Sequence, residues 1–323
     1  RRIKLMRMIE RDRNHPSLII YSLQNEILHD PDPVNTMDML AAHTLDPTRF
    51  ITYSSNSFEP PFMKGDYCGK CPETPAKAKM YMEPYSSELK YMGWWDQHFA
   101  PGPGSYIDHR HYRDPGNYYH NTDHKEEIIF YGEDGAIGSP SRATQIRKIL
   151  SAGAVQHGWD GAFHLRYADA LEKYLKTQGF TRQGVSMDDY LLSMGNVAYY
   201  YQGRIIENCR INNIVDGYVI NGWENSRVSN FSGMVDIYRN LKGDPGILSR
   251  YSQPAYAAVK LRNKVLPSGQ GTQADIYAVN QKGYRGSCRL QIRVADTSSV
   301  ISTFDTTVTL AGGNTYGQLL AEG

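Results

Sequence analysis

A parallel α/β fold followed by a smaller antiparallel β module is the fold class this sequence predicts. Three observations lead there. SLIIYSL (17–23) is a continuous apolar run of the kind a strand buried on both faces requires. Similar runs recur along the first 225 residues, separated by stretches of helical periodicity, and strand–helix alternation is the signature of a parallel sheet. After LPSGQGTQ (266–273) the pattern shifts to short β-branched strands with period-two alternation, as in an antiparallel sandwich.

The elements follow in order. RRIKLMRMIERDR opens with Ile3, Leu5, Met8 and Ile9 at helical spacing, and Glu10 and Asp12 break its positive charge, so it reads as an amphipathic helix rather than a signal peptide. NHPS turns the chain into the first strand, 17–23. VNTMDMLAAHTL is helical, and DPTRFITYSS enters a second strand at 50–54. A third strand is expected in LKYMGWWDQ (89–97) and a fourth in EEIIFYGED (126–134). YADALEKYLKTQGF is an amphipathic helix closed by Gly179, and residues 189–212 form another. IVDGYVINGWEN (214–225) is the fifth strand, and SQPAYAAVKLRNKV is read as the last helix. The linker at 266–273 is the expected domain boundary, and DIYAVN, RLQIRVAD and TTVTL are strands of the terminal module.

Composition narrows the function. Thirty-five basic residues against thirty-four acidic ones leave a net charge of +1, which offers no electrostatic footprint for nucleic acid or an anionic membrane. No stretch approaches the ~18 apolar residues of a membrane span. Four cysteines in 323 residues are too few for a disulfide scaffold. Cys68 and Cys71 form a C-x-x-C, but Cys209 and Cys288 stand alone, so a four-ligand zinc site has no second half and no metal site is expected. A local disulfide and two free thiols remain the readings of that pair. The compartment is open, with a periplasmic or secreted location compatible.

In parallel α/β barrels the chemistry sits at the carboxyl ends of strands, where side chains leave the packed interior for the open face. Glu26, Glu133 and Glu224 all stand at such ends, after SLIIYSLQN, IIFYG and VINGW. Two carboxylates meeting across a barrel mouth are what glycoside hydrolysis needs, one to protonate the leaving oxygen and one to attack or to activate water. A single strand-end glutamate is more often a solvated loop residue; here the placement recurs.

The flanking residues carry a resemblance. RDRNHPS followed by a strand ending in Gln24-Asn25-Glu26 resembles the acid/base signature of glycoside hydrolase family 2, the family of β-galactosidases, β-glucuronidases and β-mannosidases. DPTRFIT (46–52), FYGEDG (130–135) and VDGYVINGWEN support it, the last two being similar to the nucleophile strand and to the final barrel strand with its tryptophan. Tyr21 stands where the family commonly has tryptophan, and YGED replaces its usual Ser-Glu-aromatic pattern.

The resemblance implies a (β/α)8 TIM-type barrel whose acid/base ends strand four and whose nucleophile ends strand seven. Counting onward from Glu26 places Glu133 on strand seven and Glu224 on strand eight. Residues 1–265 are then the carboxyl-terminal five strands of the barrel, and 273–323 the start of an Ig-like β-sandwich. Glu26 is assigned as general acid/base and Glu133 as nucleophile of a retaining exo-acting β-glycosidase that hydrolyses terminal β-galactosides or β-glucuronides, without a cofactor. Asn25 would bond the sugar 2-hydroxyl or the nucleophile, Trp223 would form a platform for the apolar face of the pyranose, and Glu224 would contact substrate or support the site. Trp94, Trp95 and His98, with the histidine-rich SYIDHRHYRD, suggest an active-site loop after the third strand, and the aromatic insertion 55–88 is placed to narrow the pocket. Asn240-x-Lys242 resembles the element with which β-glucuronidases hold a sugar carboxylate; a solvated loop lysine is the plainer alternative. The missing strands would come from a longer chain or a partner. The competing expectation is a non-catalytic carbohydrate-binding fragment or subunit.

Overall fold

The computed structural model describes residues 1–25, 33–52, 94–99, 128–134, 138–153, 161–211, 213, 215–224, 233–236, 238–263 and 266–323. The chain divides into two compact units, the first comprising Arg1–Ala100, Tyr119–Asp134 and Ile214–Val219, the second Pro101–Tyr118, Gly135–Asn213 and Ile220–Gly323.

In the first unit, helix α1 (Arg2–Asp12) buries Ile9 and is tied to α2 (Pro33–Leu45) by Arg1 and Arg2, which pair with the buried Asp38 at 2.8 and 2.7 Å. Strand β1 (Ile20–Ser22) lies parallel to β2 (Phe50–Thr52), with Tyr21 level with Ile51. Buried Tyr21 donates its hydroxyl to Asp46 at 2.9 Å. Burial, and then the Asp46 carboxylate, push the Tyr21 phenol up to about 12. Asp46 also accepts from the backbone N–H and hydroxyl of Thr48 at 3.1 and 2.6 Å, and Arg13 donates to the Leu45 carbonyl. The RDRNHPS turn and the DPTR segment therefore brace one another, and together they hold β1. A phenol can make the bond to Asp46 that an indole at position 21 would have to make with different geometry.

Strands β3 (Trp94–Phe99), β4 (Ile128–Asp134) and β5 (Gly217–Ile220) form one sheet in that order, with β3 and β4 parallel. Neighbours in sequence are thus neighbours in the sheet, as alternation of strand and helix dictates. A Cβ at Gly217 would lie 2.6 Å from the Phe130 ring, which explains a glycine where β5 opens.

The second unit is built around a long helix. Helix α3 (Ala143–Ser151), α4 (Gly161–Thr177), a short 3-10 turn (Phe180–Gln183) and α5 (Met187–Ile211) follow one another, and Ala143, Ala168 and Leu191 form a core where α3, α4 and α5 meet. Gly179 takes φ +83° between α4 and the turn, a conformation favouring glycine. Helix α6 (Pro245–Tyr251) has Pro245 in its first turn and is capped by Asp244, whose carboxylate accepts from the Gly246 N–H at 2.8 Å.

Residues 252–265, expected as a helix, contain strand β6 (Ala255–Leu261) instead. All seven residues pair antiparallel with β7 (Ala274–Asn280), and β10 (Gly317–Ala321) flanks β7 on its other side. Residues 266–273, expected as the linker between domains, lie in the connection between these two paired strands, inside the second unit. Ala, Lys and Leu favour a helix on propensity alone; a full partner strand overrides that preference. The end of α5 is buried without interruption from Gln202 to Ile211, and several of its polar side chains bond across to this sheet and to its approach. Arg204 pairs with Glu207 at 2.7 Å and donates to the Val259 carbonyl, Lys260 donates to Asn208, and Arg210 donates to the Tyr251 and Gln253 carbonyls and to Gln281. Strands β8 (Gly286–Ala295) and β9 (Val300–Leu310) form a separate antiparallel hairpin.

Candidate active site

The strand-end positions fall into two groups, one in each unit. In the first, Asn25 lies three residues beyond β1, exposed and in an isolated bridge. Glu26, the next residue, is outside the described residues, as are the SYIDHRHYRD segment, the 55–88 insertion and the Cys68–Cys71 pair.

Glu133 is the penultimate residue of β4 and is half-buried. Its place in the sheet depends on an irregularity. Asp96 pairs with Phe130, but two residues later on β3 His98 pairs with Glu133 rather than with Gly132. One extra residue has therefore been admitted into β4, at Tyr131–Gly132. Because side chains alternate faces along a strand, an extra residue reverses the face that everything beyond it presents. Glu133 is the residue re-aimed, at the strand end where chemistry is expected. Trp95 and His98 lie inside β3, with Trp95 level with Ile129, so they belong to the strand and not to a loop following it.

The second group follows β5. Gly222 has φ +78°, and the chain turns there into Trp223, which is 62 % exposed. The backbone N–H groups of Met234 and Val235 donate to the Trp223 carbonyl at 3.0 and 2.9 Å, and Glu224 bridges to Val235, which bridges in turn to Leu241. Glu224 also pairs with Arg239 at 3.3 Å. Both side chains are well exposed, so this ion pair is worth at most ~1 kcal/mol.

Asn240 and Lys242 meet different surroundings. The Asn240 amide donates to both oxygens of Asp236 at 3.1 and 2.9 Å. Asp236, itself fully buried, also accepts from the Tyr238 and Asn240 N–H groups at 2.9 and 3.0 Å. Lys242 has no exposed surface, and its ammonium donates to the Ser139 carbonyl at 3.1 Å. Burial pulls Lys242 down to about 7, a shift that the charge of Asp236 opposes. Sequence reasoning passed over Asp236 and Tyr199, whose hydroxyl donates to the Met234 carbonyl. The signal for Asp236 is its spacing from Asn240, which lets one side chain cap both ends of a tight turn.

Among the described residues no group of three His, Cys, Asp or Glu side chains could hold a metal, and Cys209 and Cys288 are free thiols. No helix there is long and apolar enough to cross a membrane.

Comparison with known proteins adds three findings. Residues 3–97 match the family model "Glycosyl hydrolases family 2, TIM barrel domain". No curated protein matches the chain. Among solved structures, the crystal structure of Beta-D-Mannosidase from Dictyoglomus thermophilum is similar in fold, with a TM-score of 0.52 and 14 % identity over 99 % of this chain. The chain spans 36 % of the length of that structure.

Proposed function

We propose that the chain, whose residues 3–97 match the family model of the glycosyl hydrolases family 2 TIM barrel domain, carries the catalytic pair of a retaining exo-acting β-glycosidase. The observation that carries the reading is the position of Glu133, brought level with His98 by one extra residue in β4 at the carboxyl end of a parallel strand. In this reading β1 to β5 are barrel strands four to eight, and the rest of the barrel is supplied by a longer chain or a partner.

Glu26 protonates the glycosidic oxygen as the bond to the anomeric carbon breaks, while Glu133 attacks that carbon from the opposite face. The aglycone leaves and a glycosyl ester forms on Glu133. Glu26, now a carboxylate, takes a proton from water, which attacks the same carbon and releases Glu133. Two inversions give net retention. In this reading Asn25 bonds the sugar or the nucleophile, Trp95 and His98 contact the sugar, and the exposed Trp223 stacks on the sugar's apolar face. Glu224 is assigned to substrate contact or to support of Trp223.

Terminal β-galactosides and β-glucuronides are both candidate substrates, and β-mannosides join them through the structural neighbour. The burial of Lys242 favours an uncharged sugar over a glucuronide. Azide separates the two carboxylate roles in the full-length protein. Glu133→Ala is expected to form no covalent intermediate and, with azide, to yield a product of inverted configuration. Glu26→Ala is expected to keep the first step for dinitrophenyl glycosides and to be rescued by azide with retention. Inverted azide from both variants, or near-normal turnover by Glu133→Ala, would contradict the assignment.

A further inference from the structure

We propose that residues 233–236 and 238–243 form a hook that positions Trp223 and Glu224, with Lys242 as its peg and not a ligand of the sugar. The inference rests on the glycosidase reading for its consequence, but its geometry is independent of it.

The hook closes on itself through Asp236. Its carboxylate gathers the Tyr238 and Asn240 N–H groups and the Asn240 side-chain amide, its N–H donates to the Asn240 carbonyl at 3.0 Å, and the Arg239 N–H donates to its carbonyl at 2.8 Å. Arg239 takes φ +66°, a conformation that a non-glycine residue adopts only when its surroundings impose it. The Asn240 amide nitrogen lies within hydrogen-bond distance of both Asp236 oxygens, which turns it toward the carboxylate inside the turn.

From this turn two sets of bonds lead outward. One reaches Trp223, whose carbonyl accepts from Met234 and Val235. The other pins the hook to α3's approach and to α5. Lys242 donates from its side chain to Ser139 and from its backbone to the Met234 carbonyl, which also accepts from Tyr199 of α5. The fit against α5 is close: a Cβ at Gly195 would lie 1.7 Å from the Lys242 carbonyl oxygen. Asn196 then accepts from the Asp244 N–H at 2.8 Å, fixing the hook's exit. Met234 is thus the shared point, holding Trp223 with its N–H and held by Lys242 and Tyr199 at its carbonyl. A lysine so enclosed has no path to a sugar carboxylate without dismantling the turn.

The test compares Lys242→Met, Tyr199→Phe, Trp223→Ala and the double variant Lys242→Met/Trp223→Ala on aryl β-galactoside, β-mannoside and β-glucuronide. Lys242→Met is expected to lower kcat/KM by the same factor on every substrate the wild type turns over, of order 10- to 100-fold, since small displacements remote from the chemistry have effects of that size. In the Trp223→Ala background the same change is expected to add no more than about twofold, because the two act through one ring. Tyr199→Phe should show the same pattern more weakly, and it carries the test if Lys242→Met does not fold. Loss confined to the glucuronide, or multiplicative factors in the double variant, would overturn the proposal. Wild-type protein inactive on all three would count against the glycosidase reading instead. The hook is then read from fluorine spectra of fluorotryptophan-labelled protein, with the Trp223 signal assigned by its loss in Trp223→Phe. Lys242→Met should shift or broaden that signal and leave the other tryptophan signals unmoved; an unchanged Trp223 signal would overturn the hook.

Discussion

Lys242 shows how little a residue's identity says about its role until its burial is known. In sequence, Asn240-x-Lys242 is the same three-residue string whether the ammonium meets a sugar or a carbonyl of its own chain. In the structure it is enclosed, and enclosure has a thermodynamic sign. An unfolded lysine titrates near ~10.4, whereas burial brings Lys242 down to about 7. Between those values the unfolded chain binds a proton that the folded chain does not, so stability rises with pH across the window and levels off outside it. The slope from this one group is at most ~1.4 kcal/mol per pH unit. Lys242→Met lacks the group, and comparison with it cancels every other titration. Urea unfolding of both proteins at pH 7 and pH 9.5 should therefore show the wild type gaining on the variant as pH rises. A difference independent of pH would show that Lys242 is not buried as described.

At the scale of elements, legibility followed the strength of local pattern. The apolar runs of β1 and β4 and the period of α4 and α5 are visible in the sequence because each follows the local pattern of its element, although Ile19, just before β1, is 62 % exposed and the β1 run is not buried on both faces. Strand β6 was not visible, because alanine and lysine say nothing of the β7 partner that determines its state. The irregularity in β4 was equally hidden: Gly132 hints at a break in the ladder, but only the pairing with β3 reveals that a residue has been added. Helix α5 illustrates the converse, a residue that local reasoning disfavours and packing requires. Glycine inside a helix costs ~1 kcal/mol relative to alanine, yet α5 carries Gly195 and Gly203. A Cβ at Gly203 would meet the Tyr251 ring at 2.0 Å, and one at Gly195 would meet backbone. A ring can turn aside more readily than a main chain. Gly195→Ala is expected to destabilise by ~1–3 kcal/mol in spite of its better helix propensity, and by more than Gly203→Ala. A stabilised Gly195→Ala, measured by urea unfolding, would show that the hook does not lie against α5.

For the molecule as a whole, the alternation of strand and helix and the later antiparallel strands were both readable, and the α/β character they imply is what the family match at 3–97 and the mannosidase-like fold support. The site was legible in a narrower sense. Strand-end glutamates and the RDRNHPS turn stand out because they interrupt apolar runs, whereas the Tyr21–Asp46 bond and the enclosure of Lys242 arise from contacts between segments far apart in sequence. The roles proposed for the carboxylates rest on their positions at expected strand ends, and one measurement addresses them directly. A 2-deoxy-2-fluoro glycoside with a dinitrophenyl leaving group slows both steps, the second more, so a retaining enzyme accumulates its glycosyl ester. Incubated with the full-length protein, digested and sequenced by mass spectrometry, the fluorosugar should be found on the β4 peptide, esterified to Glu133. A label on Glu26 or Glu224, or a turned-over substrate that leaves no label and gives an inverted product, would contradict the assignment of Glu133 as nucleophile.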